Sequence, residues 1–283
     1  MTGPILVIGA TGTVGSEVVK ALREHNADIR AATRTPEKTI PGAKTVLFDF
    51  DKPLSIPKAF IGVEKVFILT PFDEKMVLQT RTIVNAAKNA HVKYIVKLSA
   101  VGADKPQGSL SKWHHDAEQA IIESGIPYTI LRANGFMQNF STTMAAQIKF
   151  EGKIYAPAGD AKVSFIDVRD IADAAAHAFL KEGHKNKIYT LTGPQSLTMK
   201  EIAEFFSDVL GKPITYVPLT DVQARDAYAK AHLPEWMSDA LIDLYKFYRA
   251  GGGAAVSKDV QTLTNRVPVN FRSFIEEHKN AWQ

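Results

Sequence analysis

The chain has 283 residues, no cysteine and a formal net charge of +4. The lack of cysteine excludes disulfide bonds, thiolate metal sites and a cysteine nucleophile. The length exceeds that of one comfortable hydrophobic core, so we expect one large and one smaller domain. No apolar run approaches the ~20 residues that cross a bilayer, no signal peptide is recognisable, and the basic residues are scattered. We therefore expect a cytoplasmic protein without a membrane or nucleic-acid partner.

The first half of the sequence alternates short apolar strands with amphipathic helices. Strands are predicted at 5–8, 29–33, 45–48, 65–69, 94–98 and 128–131, and helices after the first strand, at 75–89 and at 111–124. This alternation predicts right-handed βαβ crossovers. The expected fold class is therefore α/β, with a doubly wound parallel sheet of the Rossmann type.

The second half is less regular. Short strands are predicted at 163–166 and 188–191, and Thr198 and Glu201 form a capping box before a helix that ends near Gly211. The remainder, 214–283, has a mostly helical pattern interrupted by three glycines at 251–253. We predict a dinucleotide-binding domain at 1–192, with 134–162 contributing to the substrate cleft, and a smaller, mostly helical substrate or lid domain at 193–283.

A glycine-rich loop lies between the first predicted strand and helix. Gly9 permits the turn out of the strand, Gly12 lets the backbone approach a pyrophosphate, and Gly15 allows close packing of helix on sheet. The helix N-terminus then presents amide groups to the phosphates. The predicted pyrophosphate-binding residues are Gly9, Thr11, Gly12, Thr13, Val14 and Gly15.

The end of the second predicted strand indicates which dinucleotide binds. NAD-binding proteins carry an acidic residue there for the ribose hydroxyls, but this chain has Thr33 and Arg34, with Lys38 nearby. A guanidinium group can stack on adenine and pair with a 2′-phosphate. NADP(H) is therefore favoured over NAD(H), with Thr33, Arg34 and Lys38 as cofactor-binding residues.

Most short-chain reductases of this fold use a Tyr-x-x-x-Lys pair for proton transfer. None of the eight tyrosines in this chain is followed by lysine four positions later. Alcohol dehydrogenation or sugar-nucleotide epimerisation by that mechanism is therefore not expected.

Several motifs together resemble the NmrA-like, atypical branch of the short-chain dehydrogenase/reductase superfamily. They are the glycine loop at 9–15, Leu-Ser-Ala-Val-Gly at 98–102, Gly-Ile-Pro-Tyr-Thr-Ile-Leu-Arg at 125–132, Asn-Gly-Phe-Met-Gln-Asn at 134–139 and Asp-Val-Arg-Asp-Ile-Ala at 167–172. The family includes NADPH-dependent quinone and dye reductases, and also redox sensors that bind dinucleotides without turning them over.

The resemblance implies further cofactor contacts at the carboxyl ends of strands. Thr70, Pro71, Phe72 and Ser99 would lie along the cofactor, and Asp49 with Phe50 would flank the adenine. Asn134, Gly135 and Phe136 would line the nicotinamide end.

The resemblance also points to His114 as a candidate catalytic residue. Isoflavone-type reductases carry a catalytic lysine at the start of the helix before the 126–129 run, and His114 occupies that position here. The histidine could act as a general acid near neutral pH. Alternatively, it is a helix-surface or cofactor-contacting residue. The adjacent His115 and Asp116 point in different directions from His114, so no metal site is predicted.

Two functions remain open on the sequence. One is an NADPH-dependent reductase acting on a conjugated acceptor such as a quinone or an azo or triphenylmethane dye, where positioning replaces acid catalysis. Its substrate contacts would be Trp113, Phe136, Met137, Phe140 and Trp236, although each aromatic residue could instead pack in the core. The other is a catalytically silent NADP(H) sensor with a protein partner. Either would be a monomer or a homodimer.

Overall fold

The structure is a computed structural model that describes residues 3–283. Its strands are β1 (Ile5–Val7), β2 (Ile29–Thr33), β3 (Lys44–Leu47), β4 (Lys65–Ile68), β5 (Tyr94–Ala100), β6 (Tyr128–Ala133), β7 (Lys153–Ala156), β8 (Lys187–Leu191) and β9 (Thr215–Pro218). Its α-helices are α1 (Thr13–Glu24), α2 (Ser55–Ala59), α3 (Met76–Asn89), α4 (Ser109–Ile122), α5 (Gln138–Ser141), α6 (Val168–Leu180), α7 (Met199–Leu210), α8 (Asp221–Lys230), α9 (Glu235–Arg249), α10 (Asp259–Thr264) and α11 (Phe271–Glu277). No helix within residues 3–283 is both long and apolar enough to cross a membrane.

Seven strands form one sheet in the order β3-β2-β1-β4-β5-β6-β8. The pairs β1–β2, β1–β4, β2–β3 and β4–β5 are all parallel. The order reverses direction between β1 and β4, which is the switch point where doubly wound sheets bind ligands beyond their strand ends. The predicted doubly wound α/β fold is confirmed.

The central strands are apolar because helices cover both faces of the sheet. β1 is buried along its whole length, and residues such as Leu6, Val66 and Ile95 pack in a core with Ile83 of α3 and Ile121 of α4. Predicted elements of the first half agree with the observed ones within a few residues. The capping box at Thr198 and Glu201 is also present, with both reciprocal hydrogen bonds formed.

One expectation for the second half is wrong. The predicted strand at 163–166 contains only isolated bridges, from Val163 to Leu197 and from Ile166 to Phe136. The region after residue 214 is mostly helical, as predicted, and it also contains β9, which pairs in parallel with β7 as a two-stranded sheet. Each of these strands has only four residues.

The chain forms two compact units that interleave along the sequence. The first consists of Met1–Ala103, Trp113–Arg132 and Val168–Tyr189, and the second of Asp104–Lys112, Ala133–Asp167 and Thr190–Gln283. The predicted linear division at residue 192 differs, because 133–167 pack with the C-terminal part of the chain. Aromatic side chains of the second unit explain this grouping, since Phe140 contacts the rings of Phe165, Phe206 and Phe271.

Candidate cofactor-binding site

The glycine loop connects β1 to the first turn of α1. Gly9 has a φ of +76°, a left-handed conformation that favours glycine. A Cβ atom on Gly15 would lie 2.0 Å from the carbonyl oxygen of Gly9, so the helix packs directly on the loop. Gly12 differs, because its φ is −85° and its Cβ would make only an ordinary 3.4 Å contact. The packing of the chain itself therefore requires Gly9 and Gly15 but not Gly12.

The N-terminus of α1 is suited to an anion. Gly12 is the N-cap residue, no side chain caps the helix, and the first turn carries no acidic residue. The amide groups of that turn and the positive end of the helix dipole are therefore available to a phosphate. Because Gly12 has no side chain, a phosphate can approach these amide groups closely. The loop therefore fits the pyrophosphate of a dinucleotide.

The residues after β2 present positive charge to solvent. Arg34 and Lys38 are both exposed, and neither side chain has a hydrogen bond or ion pair within residues 3–283. Thr33 is buried and its hydroxyl accepts a hydrogen bond from the backbone N–H of Thr35 at 3.1 Å, which shapes the turn. Two unpaired cations at this strand end suit a 2′-phosphate.

Asp49 and Phe50, predicted beside the adenine, already have partners within their own loop. The Asp49 carboxylate accepts a hydrogen bond from the backbone N–H of Asp51 at 3.1 Å. The Phe50 ring packs edge-to-face on Phe48, with ring centroids 5.3 Å apart. These contacts fix the loop after β3, and an adenine contact by either residue stays a prediction.

The segments after β4 and β5 combine buried hydroxyl groups with exposed rings. Thr70 and Ser99 are buried, whereas Pro71 and Phe72 are exposed. The Phe72 ring lies edge-to-face with Trp113, at a centroid distance of 6.4 Å. The first unit thus offers an aromatic pair next to the predicted cofactor-contacting hydroxyls.

A buried ionic cluster is hydrogen-bonded to these hydroxyls, and it was not predicted from the sequence. Glu118 of α4 is fully buried and accepts two hydrogen bonds from Arg132, at 3.0 and 2.7 Å, and one from the Ser99 hydroxyl at 2.5 Å. Lys97 of β5 is 1% exposed and donates to the Leu98 carbonyl at 2.6 Å and to Thr70 Oγ1 at 3.5 Å. The only sequence signal was a lysine inside an otherwise apolar strand.

The buried environment of this cluster lowers the pKa values of two basic side chains, Lys97 and His114. Burial lowers the pKa of Lys97 to about 8, although the nearby Glu118 carboxylate opposes this shift. Burial, and secondarily the Lys97 charge, lower the pKa of His114 to about 3. The imidazole is therefore neutral at neutral pH, which argues against the imidazolium acid that the sequence suggested. A catalytic contact by the neutral ring stays a prediction.

Asn134 has a structural role in the second unit. Its side-chain amide donates to Ser164 Oγ and to the Gly253 carbonyl, both at 2.8 Å, and its oxygen accepts from the N–H of Gly135. A Cβ on Gly253 would lie 2.7 Å from the Tyr248 ring. Close packing against this ring therefore explains why position 253 of the triple-glycine segment is a glycine. All polar atoms of the Asn134 side chain are thus engaged within the protein.

The predicted substrate contacts divide into two groups. Trp113, Phe136 and Trp236 are partly exposed. Met137 and Phe140 are only 1% and 0% exposed, and both belong to the core of the second unit. We therefore correct the prediction for these two residues, because no side-chain surface is left for a ligand.

Gly135, which was predicted to line the nicotinamide end, lies against the ring of Phe165 and the hydroxyl of Tyr248.

Comparison with known proteins gives the family. A model described as the NmrA-like family matches residues 1–274. The chain belongs to the NmrA-like family. The resemblance inferred from the sequence motifs is thereby confirmed. Three similar proteins extend the comparison and cover nearly all of this NmrA-like chain.

The first is an NAD(P)H azoreductase of Xenophilus azovorans, 37% identical and covering 98% of this chain and 99% of the relative. The second is the structure of an Escherichia coli NADPH-dependent quinone oxidoreductase complexed with NADPH, with a TM-score of 0.88, 28% identity, and coverage of 96% of this chain and 99% of the other. The third is the Citrobacter sp. triphenylmethane reductase complexed with NADP(H), with a TM-score of 0.85, 29% identity, and coverage of 98% and 99%.

Proposed function

We propose that this NmrA-like protein is an NADPH-dependent reductase that transfers hydride to a conjugated acceptor such as a quinone or an azo or triphenylmethane dye. The observation that carries the proposal is Gly12, whose missing side chain is not required by the packing of the chain. A bound pyrophosphate at the uncapped N-terminus of α1 explains it. The relatives support the same function, since they are reductases of these acceptor classes and two were crystallised with NADP(H).

The cofactor would be held by three groups of residues in the first unit. The loop at 9–15 would bind the pyrophosphate, Arg34 and Lys38 the 2′-phosphate, and Thr70 with Ser99 the region near the nicotinamide. Reduced nicotinamide supplies the hydride when bound. The protein would then contribute mainly binding and orientation, with Phe72 and Trp113 offering ring surfaces to a flat acceptor.

The proton chemistry follows from the protonation state of His114. A neutral imidazole is a poor proton donor, and the chain has no Tyr-x-x-x-Lys pair. A quinone or an azo compound that gains hydride becomes a delocalised anion, which water can protonate, whereas a cationic triphenylmethane dye becomes neutral and needs no proton. Acceptors that need strong acid catalysis, such as simple ketones, are therefore expected to be poor substrates.

Arg34→Glu should weaken NADPH binding by roughly 100-fold, because the change replaces an attractive charge on the 2′-phosphate by a repulsive one. NADH lacks this phosphate, so its affinity should change by less than about threefold. Isothermal titration calorimetry with both dinucleotides measures the difference. Lys44→Glu is the matched control, since Lys44 is exposed at the start of β3, away from the carboxyl edge of the sheet. Equal NADPH affinity in the wild type and Arg34→Glu would contradict the assignment.

The reductase function is tested by following NADPH oxidation by absorbance with quinones, azo dyes and triphenylmethane dyes. We expect turnover with at least one class and much slower turnover with NADH. Tight NADPH binding without turnover of any acceptor would contradict the proposal and favour the dinucleotide-sensor alternative.

A further inference from the structure

Thr70 and Ser99 lie side by side at the carboxyl edge of the sheet. β4 and β5 pair in parallel with Ile68 opposite Lys97, and continuing this register brings Thr70 opposite Ser99. Side chains two residues apart on a strand share a face, so Ser99 and Lys97 project from the same side. The 3.5 Å contact from Lys97 Nζ to Thr70 Oγ1 places Thr70 on that side too. Ligands bind beyond this edge in open α/β sheets.

The Lys97 ammonium group determines the direction of the Thr70 hydroxyl. An ammonium group can only donate hydrogen bonds, so Thr70 Oγ1 must accept from Lys97. The Thr70 proton therefore points away from Lys97. No group within residues 3–283 accepts that proton. Thr70 consequently offers one O–H donor at the sheet edge.

Glu118 and Ser99 determine the tautomer of His114. The Ser99 hydroxyl donates its single proton to Glu118 Oε1 at 2.5 Å, and Arg132 holds that carboxylate in place. The Ser99 oxygen can then only accept, and its partner is His114 Nδ1 at 3.4 Å. Nδ1 must therefore carry the ring hydrogen.

The other ring nitrogen of His114 is left as an acceptor. Burial and the Lys97 charge lower the pKa of the ring, so Nε2 keeps its lone pair at neutral pH. Nε2 has no hydrogen-bond partner within residues 3–283. His114 as a whole residue is partly exposed.

We propose that Thr70 and His114 together bind the carboxamide group of nicotinamide. Thr70 donates a hydrogen bond to the carboxamide oxygen, and His114 Nε2 accepts one from the carboxamide N–H. A primary carboxamide carries both an acceptor and a donor, which are complementary to the Thr70 O–H donor and the His114 Nε2 acceptor. Lys97, Ser99, Glu118 and Arg132 act as positioning residues. The inference rests on the proposed function, because it assumes that the nicotinamide end of NADPH lies at this edge.

The test compares NADPH with its reduced 3-acetylpyridine analogue. The analogue keeps the carbonyl group attached to the ring but has a methyl group in place of the amide nitrogen. Dissociation constants are measured by calorimetry without any acceptor. The wild type should bind NADPH roughly tenfold more tightly than the analogue, as expected for one well-made hydrogen bond. His114→Leu should reduce this preference to within about twofold. His114→Gln retains an acceptor and should keep part of the preference.

Thr70→Val is the complementary variant, because it removes the hydroxyl and keeps the side-chain shape. It should weaken NADPH and the analogue equally, by roughly fivefold, since both carry the carbonyl. A wild-type preference that survives His114→Leu would overturn the proposal, as would a wild type that binds both dinucleotides equally. Failure of the wild type to bind NADPH at all would instead overturn the proposed function. Thr70→Val and His114→Gln keep the test decisive if His114→Leu does not fold.

Discussion

Gly12→Ala should leave the folded protein as stable as the wild type while weakening NADPH binding by roughly 30-fold or more. The new Cβ would make an ordinary 3.4 Å contact with the Gly9 carbonyl oxygen and would require no unusual backbone conformation. It would, however, occupy the space through which a pyrophosphate approaches the amide groups of α1. Urea denaturation and calorimetric titration of NADPH measure the two effects separately.

Gly15→Ala is the matched comparison, because the same methyl group is added one helical turn away. Its Cβ would lie 2.0 Å from the Gly9 carbonyl oxygen, so the loop or the helix must move. We expect a stability loss of about 1–3 kcal/mol, typical of overpacking. If Gly12→Ala bound NADPH like the wild type, the glycine loop would not be the pyrophosphate site. If it lost stability like Gly15→Ala, Gly12 would have a structural role instead.

Arg132→Leu should destabilise the protein by about 3–5 kcal/mol, because it removes the cation that is hydrogen-bonded to the buried Glu118 carboxylate and leaves only Lys97 nearby. Glu118 is fully buried, and the Arg132 side chain is only 16% exposed. The free energy of unfolding from urea denaturation at neutral pH is the measurement. Such a loss would be a large fraction of the stability of an ordinary domain.

Arg225→Leu provides the control, since it makes the same change in an ion pair whose side chains are 49% and 46% exposed. Its loss should stay below about 1 kcal/mol. The double variant Glu118→Leu/Arg132→Leu should recover much of the stability that Arg132→Leu loses, because it removes the unpaired charge. Similar losses in Arg132→Leu and Arg225→Leu would show that Glu118 is not effectively desolvated.

The buried pair also connects stability to the candidate site. Glu118 accepts the proton of Ser99, and this bond leaves His114 Nδ1 as the donor. Arg132→Leu should therefore disturb NADPH binding in the molecules that remain folded. The expected sign is a weaker preference for NADPH over the 3-acetylpyridine analogue, since the His114 tautomer would no longer be fixed.

Sequence alone predicted the α/β class, the positions of the first six strands along the chain and the glycine loop. These features follow from local patterns: continuous apolar runs such as Ile5–Val7, turn-forming glycines, and helices with one apolar face. NADP(H) was also predicted from the sequence, because Arg34 lies where NAD-binding proteins carry an acidic residue. The family resemblance added the segments at 70–72, 99 and 134–136, without the contacts of their side chains.

Long-range packing brings together polar groups that are far apart in the sequence. Lys97, Glu118 and Arg132 lie on three separate elements, and no local pattern relates a strand lysine to a helix glutamate. The same holds for Asn134, whose amide is bonded to a loop more than 100 residues away. Phe140 was indistinguishable by sequence from a ligand-facing aromatic residue until its contacts with Phe206 and Phe271 placed it in a core. The protonation state of His114 depends on burial and on the nearby Lys97 charge, both of which are set by long-range packing rather than by neighbours in sequence.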